Sequence, residues 1–184
     1  LTVNGNVHVT GTNSSLIFPD GTIQQTAGFS SDGAAGAIQF AGSSGSFVGD
    51  QNNLFWDSSN HRLGIGTNAP ISTLQIKSTS MESTSYSWSS INTEVLDSIS
   101  VLDVRSAHYF VQVTDEDNSQ YHISQITVVH NGSGAFKSEY NIVTSADRLG
   151  DFDCRVNSGN LELLFTAYQS TNKTVRITRT SMAV

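Results

Sequence analysis

The sequence contains a single cysteine, Cys154, so no disulfide can form within one chain. It has no apolar run near the ~20 residues that cross a bilayer, and no basic stretch with an apolar core like that of a signal peptide. Basic residues are few, with 9 Lys and Arg against 16 Asp and Glu. Because nucleic-acid binding depends largely on clustered Lys and Arg, we predict no nucleic-acid partner. The lack of a long apolar run likewise predicts no membrane insertion.

Glycine and charge are distributed unevenly along the chain. Eleven of the 15 glycines precede residue 80, where only four acidic and two basic side chains occur, against twelve and seven in the remainder. We therefore predict two units, a glycine-rich extended segment over residues 1–76 and a folded domain over residues 77–184. Because the sequence begins at Leu1 rather than Met, we also expect it to be a piece of a longer protein.

The first unit combines short alternating stretches and tight turns with few large apolar side chains. Alternation at Val7 and Val9 and the turn signal Asp20-Gly21 predict short strands. So little apolar surface does not offset about 1–2 kcal/mol of backbone entropy per residue, so one copy alone should not fold. The segment is either a disordered linker or wraps with identical copies around a common axis, and the regular turns favour wrapping. The predicted contacts between chains are Leu16, Phe18, Phe55, Trp56, Leu63, Gly64 and Gly66.

The second unit shows roughly seven short strands, with turn signals every ~8–12 residues and no convincing helical period, which predicts an antiparallel β-sandwich. Only the stretch from Ile91 to Ser98 is compatible with a short helix. The predicted strands span residues 99–104, 109–114, 121–130, 136–144, 152–156, 161–168 and 174–180. Alternation places in the core Tyr109, Val111, Val113, Phe136, Tyr140, Ile142, Leu161, Leu163 and Phe165, joined by Cys154.

Two groups of residues are candidate ion ligands. The run from Asp115 to Ser119 collects oxygens as calcium requires, but Gln120 and Ile126 replace the glycine and the glutamate of an EF-hand. A hairpin turn with a solvated acidic tip is the favoured interpretation, and a weak ion site completed by other loops or chains is the alternative. The histidines lack metal-ligand spacing, so we predict no metal site within one chain, while symmetry copies of one histidine at an axis are the alternative. They are His8, His61, His108, His122 and His130.

No local motif marks a catalytic centre. The Gly64-Ile65-Gly66 segment lacks the third glycine and the lysine of a phosphate loop, and no serine lies in a nucleophile elbow. We therefore predict a protein that is not an enzyme and takes no cofactor or metal. Tyr86 and Trp88, on one side of an extended Ser/Thr-rich stretch, are the candidate glycan contacts, with core packing as the alternative.

Two pairs of segments resemble a known family. LIFPDGTIQQTAG at 16–28 and LFWDSSNHRLGIGTNAP at 54–70 resemble the shaft modules of tailed-bacteriophage fibre proteins. YFVQVTDEDNSQYHISQITVVHNG and FKSEYNIVTSADRLGDFDCRVNSGNLELLFTAY resemble a β-domain of virion structural proteins, notably those of cyanobacterial phages. The resemblance implies a homotrimeric virion fibre with the C-terminal domain at a tip or knob, and it brings no catalytic residues.

The residues and the resemblance together predict an all-β structural virion protein, a homotrimer with an extended interleaved β shaft followed by an antiparallel β-sandwich. A tail fibre, assembled in the host bacterial cytoplasm, is the favoured setting. The terminal domain is expected to mediate host-surface adhesion or attachment to other virion proteins. The alternatives are a neck or head fibre without a receptor role, a lectin tip for host cell-surface glycan, and a polysaccharide depolymerase with a site between subunits.

Overall fold

The computed structural model describes residues 11, 15–21, 23–24, 33–43 and 47–184. Within these ranges the chain forms β-strands and no helix, which confirms the all-β class. The predicted alternation at Val7 and Val9 and the histidine His8 lie outside the described residues. The strands are β1 Leu16–Ile17, β2 Ile23–Gln24, β3 Gln39–Ala41, β4 Phe47–Gly49, β5 Leu54–Asp57, β6 Arg62–Ile65, β7 Leu74–Ile76, β8 Thr79–Trp88, β9 Thr93–Ser100, β10 Val104–Asp115, β11 Gln120–His130, β12 Ala135–Thr144, β13 Gly150–Asn157, β14 Asn160–Ala167 and β15 Lys173–Ala183.

The long strands form two sheets of unequal width that pack face to face. The larger sheet has eight strands in the order β12-β11-β10-β15-β8-β7-β6-β5, and the smaller has three in the order β13-β14-β9. All pairs are antiparallel except β6 with β7. Each sheet turns one row of alternating side chains toward the other, as two-layer antiparallel packing requires.

The core lies between β10, β11 and β15 on one side and the three-stranded sheet on the other. Tyr109, Val111 and Val113 are fully buried, as the alternation of β10 predicts. Phe165 of β14 is also fully buried and packs against Phe152, with ring centroids 4.8 Å apart. Among the described residues, every member of the apolar core lies at or beyond Leu96 in the chain.

The predicted core residues of β12 are exposed instead. Phe136, Tyr140 and Ile142 are 58%, 38% and 40% exposed. Phe136 is paired with Val129 of β11, and Val129 faces away from the core because its neighbour Val128 faces inward. Alternation in a sequence separates the two faces of a strand but does not say which face is inside, and here the face that carries Phe136 and Tyr140 points out. Ile142 lies beyond an irregularity in the pairing of β12 with β11, which simple alternation does not predict.

Two further predictions about the second unit are corrected. The predicted strand over residues 99–104 is interrupted, because β9 ends at Ser100 and a turn over residues 101–103 leads to β10. The turn closes through a hydrogen bond from the Asp103 amide to the Ser100 carbonyl, with the Leu102 side chain in solvent. The helix-compatible stretch from Ile91 to Ser98 mostly forms strand β9, because cross-strand pairing with β14 outweighs the short helical pattern.

The large sheet extends across the predicted boundary at residue 76. β7 pairs with β8 immediately after it, β6 lies parallel to β7, and β5 forms a hairpin with β6. The segment from Leu54 to Pro70 is therefore hydrogen-bonded into the same sheet as the terminal domain. Two smaller hairpins precede it, β1 with β2 and β3 with β4. Each of the two segments that resemble fibre shaft modules thus contributes an antiparallel strand pair, β1 with β2 and β5 with β6.

Candidate functional site

The first unit carries an exposed apolar surface. Eight large apolar side chains there are between 38% and 63% exposed in the single chain. They come from each of the three hairpins and from β7, so they are not concentrated in a local core. Exposed apolar groups of this density mark surfaces that contact another molecule. They are Ile17, Phe18, Ile23, Phe40, Phe47, Trp56, Ile65 and Ile76.

The predicted contacts between chains divide between two faces of the β5–β6 hairpin. Trp56 and Leu63 are cross-strand partners and share one face, where the Trp56 ring also lies 6.3 Å from that of His61. Phe55 and Gly64 pair on the opposite face. There the Phe55 ring is half-buried, and it leaves no room for a Cβ at Gly36, which would lie 2.3 Å from its ring. Phe55 therefore packs against Gly36 of its own chain, and its contact with another chain stays a prediction.

The remaining predicted contacts lie at hairpin ends. Phe18 is exposed in the turn after β1, where the Gly21 amide donates to the Phe18 carbonyl. Leu16 lies in β1, and its side chain is outside what the structure describes. Gly66 has a φ of +72°, a conformation that favours glycine, and its amide donates to the Asn53 carbonyl.

Gly64 fits a close approach of two backbone segments. A Cβ at this position would lie 2.3 Å from the Thr67 carbonyl oxygen. This crowding is local, between Gly64 and the turn that follows β6 in the same chain. A contact of Gly64 with another chain remains a prediction.

The two candidate glycan contacts lie on the same side of β8, as predicted, but have different environments. Trp88 is half-buried and meets Phe165 edge to face, with centroids 5.7 Å apart, so its ring contributes to the core. Its indole nitrogen is buried and has no hydrogen-bond partner in the described part of the chain. Tyr86, opposite Val175, is 38% exposed. An open depression of about 370 Å³ lies beside Trp88 and is lined by Ser87, Trp88, Ser89, Glu116, Asn172, Lys173 and Thr174.

The acidic turn is a structured junction, so the prediction of a solvated tip is wrong for Asp115. One Asp115 oxygen accepts the amides of Asp117 and Asn118, both at 3.1 Å, and the other accepts the Thr171 hydroxyl at 2.7 Å. Burial disfavours ionisation, but the hydrogen bonds from Thr171 and Asn118 outweigh it and lower the pKa of Asp115. Asp117 accepts two bonds from Asn172, so this turn fixes the 169–172 loop.

A buried polar chain links β11 to β12 and to the loop after β12. Ser124 Oγ donates to Glu139 Oε1 at 2.8 Å and lies 3.0 Å from His122 Nε2. Glu139 also accepts Arg148 through both oxygens, at 2.8 and 2.9 Å. Because the single serine proton goes to Glu139, His122 Nε2 must be the donor to Ser124. The Ser124 hydroxyl is fully buried and the carboxylate contacts the serine, so the geometry is that of a packed network and not of an activated nucleophile.

Metal and membrane sites have no local signature in the described ranges. No three His, Cys, Asp or Glu side chains lie close enough together there to hold an ion. The described residues also include no helix long and apolar enough to span a membrane. His122 and His130 both point inward from β11, and His130 Nε2 contacts the Val104 carbonyl at 2.5 Å.

Comparison with known proteins finds partial structural similarity to phage tailspikes. No protein-family model and no curated protein matches the chain. The tailspike of Acinetobacter baumannii phage AM24 is 6% identical with a TM-score of 0.35, covering 58% of this chain and 26% of that one. The tailspike of Acinetobacter phage vB_ApiP_P1 is 12% identical with a TM-score of 0.35, covering 56% and 22%. Tailspike gp49 of Acinetobacter baumannii bacteriophage Fri1, a capsular polysaccharide depolymerase, is 12% identical with a TM-score of 0.34, covering 71% and 19%. The chain thus spans between 19% and 26% of the length of these three tailspikes.

Proposed function

We propose that this chain is a structural component of a bacteriophage virion, part of a homotrimeric fibre whose shaft is built jointly by three copies. The observation that carries the proposal is the exposure of eight large apolar side chains of the first unit, together with a buried apolar core whose members, among the described residues, all lie at or beyond Leu96. Moving one Val, Leu, Ile or Phe side chain from solvent into a core contributes about 1.5–3 kcal/mol. Seven exposed Ile and Phe side chains and Trp56, each already partly buried in the single chain, contribute a share of this free energy when copies assemble.

The proposed position of the chain in the virion rests on the segments that resemble fibre shafts. The LFWDSSNHRLGIGTNAP segment forms the β5–β6 hairpin, and Trp56 and Leu63 present one apolar face of it. A tail fibre is the setting favoured by this resemblance, and a neck or head fibre is the alternative. In a tail fibre the terminal domain provides the surface for host adhesion or for attachment to another virion protein, whereas a neck or head fibre has no receptor role.

Electron microscopy of virions labelled with a gold-conjugated antibody against residues 81–184 tests the proposal. Label at the ends of tail fibres is the expected result, and label at the neck or head identifies the alternative setting. Virions that carry no label, while the purified chain binds the same antibody, would contradict a virion role. In the matched control, the gold-conjugated antibody is first incubated with an excess of the purified chain. Virions treated with this mixture should carry no label.

A glycan-binding tip is the second candidate function, favoured by the depression beside Trp88. Its lining of hydroxyl, amide and carboxylate groups is the chemistry that sugars require, with a single cation, Lys173. Trp88→Ala is a poor test because it also removes a ring from the core. Glu116→Gln is better, since Glu116 is exposed at the rim, and Glu94→Gln on β9 is a control outside this depression. Glycan-array binding that is lost only in Glu116→Gln supports a lectin role, and no binding by the wild-type protein removes it.

The enzyme alternative requires a site completed by a neighbouring subunit. We propose a non-enzymatic role, because the resemblance brings no catalytic residues and the Ser124 network is closed to solvent. Prolonged incubation of the assembled protein with host polysaccharide, followed by sizing of the glycan, checks this. Unchanged glycan length is expected, and shortened chains would establish a depolymerase.

A further inference from the structure

Strand pairing aligns one row of residues across all eight strands of the large sheet. Each residue of the row is the cross-strand partner of the next, so all of them point to the same side of the sheet. Six of the eight are large and apolar, and none is charged. From the shaft edge to the far edge they are Leu54, Ile65, Ile76, Thr79, Met182, Ser106, Val129 and Phe136.

A second row runs beside the first and is also free of Asp, Glu, Lys and Arg. It contains Trp56 and Leu63, the two predicted contacts between chains that share a face of the β5–β6 hairpin. The apolar surface of the shaft therefore continues directly onto the terminal domain. In the same order the second row is Trp56, Leu63, Leu74, Met81, Thr180, His108, Thr127 and Ser138.

The two rows lie on the face of the sheet that the core does not use. The opposite face of β10, β11 and β15 is covered by the three-stranded sheet, so an ordinary half-buried sheet would be polar on this side. Here Met182 is 62% exposed and Val129 is 45% exposed. With strands ~4.8 Å apart and same-face residues ~6.8 Å apart, two rows across eight strands cover roughly 500 Å². That is most of the ~800 Å² that one partner contributes to a standard interface.

The charge pattern selects a second copy of this chain as the occupant. The chain has a net charge of −7, so copies that meet through their acidic surfaces repel one another. Copies can approach one another most closely through a face that has no carboxylates, because electrostatic repulsion is smallest there. The sheet also winds by ~20–25° per strand, so a partner that follows the whole row must wind with it, as an identical sheet does.

We infer that the uncharged face formed by these two rows is one continuous contact surface between copies, so that the terminal domain packs on its neighbours through the outer face of β8, β10, β11, β12 and β15. This inference rests on the proposed trimer and extends its interface beyond the shaft. The terminal domain is then held to the fibre axis along its whole sheet and presents its three-stranded sheet and its loops outward.

The oxidation rates of the methionines report whether this surface is covered by another copy. The chain has 2 methionines, and both lie in the two rows, Met81 at the shaft side and Met182 on β15. Both are exposed in the single chain, at 41% and 62%, and sulfoxide formation follows exposure. The full chain is treated with hydrogen peroxide at a fixed concentration, and sulfoxide at each site is followed by peptide mass spectrometry. Sedimentation velocity on the same sample gives the number of copies.

The expected result is a trimer in which both methionines oxidise at least tenfold more slowly than in the urea-unfolded chain. A trimer with Met81 protected and Met182 oxidised at the unfolded rate would overturn the inference and leave the proposed shaft intact. A trimer with both methionines freely oxidised would also overturn it, because the face would then be open to a different partner. A folded monomer would overturn the proposed function and the inference together.

A substitution that introduces a charged side chain into the first row provides the second test. Val129→Asp puts a carboxylate on the face in each copy, and Val95→Asp is the matched control, because Val95 is 42% exposed in strand β9 of the other sheet. We expect Val129→Asp to raise the oxidation rate of Met182 at least tenfold over wild type while Val95→Asp leaves it within twofold. Equal rates in the two variants would contradict the inference. Far-ultraviolet circular dichroism that matches wild type shows that both variants retain the fold.

Discussion

Arg179 and Asp97 form an ion pair between the two sheets, with Arg179 Nη1 2.8 Å from Asp97 Oδ2. Both side chains are nearly buried, and the Tyr109 hydroxyl donates to the same carboxylate oxygen at 2.9 Å. Arg179 Nη2 also donates to Ser72, which lies between β6 and β7. One guanidinium therefore connects the smaller sheet, the larger sheet and the end of the first unit.

Removing one partner of this pair is expected to destabilise the protein strongly. Asp97→Ala leaves the Arg179 charge and the Tyr109 hydroxyl buried without their shared acceptor, which costs about 3–5 kcal/mol in the free energy of unfolding. Asp103→Ala, in the exposed turn after β9, is the control and is expected to change stability by less than ~0.5 kcal/mol. Urea denaturation at one protein concentration measures both. Similar midpoints for the two variants would show that the pair does not stabilise the fold.

Gly64→Ala tests the close backbone approach in the β5–β6 hairpin. The new methyl group would lie 2.3 Å from the Thr67 carbonyl oxygen, so the hairpin must shift, at roughly 1–3 kcal/mol. Gly134→Ala is the matched control, since its Cβ would meet nothing nearer than 3.7 Å. Thermal unfolding followed by circular dichroism is expected to show a lower midpoint for Gly64→Ala alone. A midpoint unchanged from wild type would mean that the turn relaxes without cost.

We expect the free energy of unfolding to depend on pH through His122. Burial lowers its pKa below the ordinary 6.5, and the nearby Arg148 acts in the same direction, while Glu139 and Asp151 oppose it. The folded state therefore binds this proton less readily than the unfolded state, so the contribution is complete above pH ~6.5 and is lost as pH falls below it. Wild type should lose more stability between pH 7.5 and pH 5 than His122→Gln. Equal losses in urea denaturation would contradict a role for His122.

Local patterns in the sequence predicted most of the strands. The predicted strand from Tyr121 to His130 differs from β11 by one residue, because alternation and the flanking turns both mark its ends. Strand β8 was not predicted as part of the central sheet, since Ser and Thr replace the alternating apolar residues that identify a strand. It forms because β15 and β7 pair with it on either side.

The polar contacts and the orientation of faces could not be predicted. Arg179 and Asp97 are 82 residues apart in sequence, and no local pattern joins them. Thr171 and Asp115 are likewise brought together only by the pairing of β10 with β15. The outward direction of Phe136 depends on which face of β11 meets the smaller sheet, a relation between distant segments. The candidate surface between copies was predicted in its shaft part, through Trp56 and Leu63, and its continuation over the terminal domain emerges only from the strand register.

The molar mass of the purified full chain in solution, measured by multi-angle light scattering across a range of concentrations, tests the central claim most directly. We expect a folded species of three times the 19.7 kDa of one chain, because the proposed trimer covers the apolar face of the sheet and shaft that the single chain exposes. A stable, folded species of 19.7 kDa with the strand content described above would contradict it.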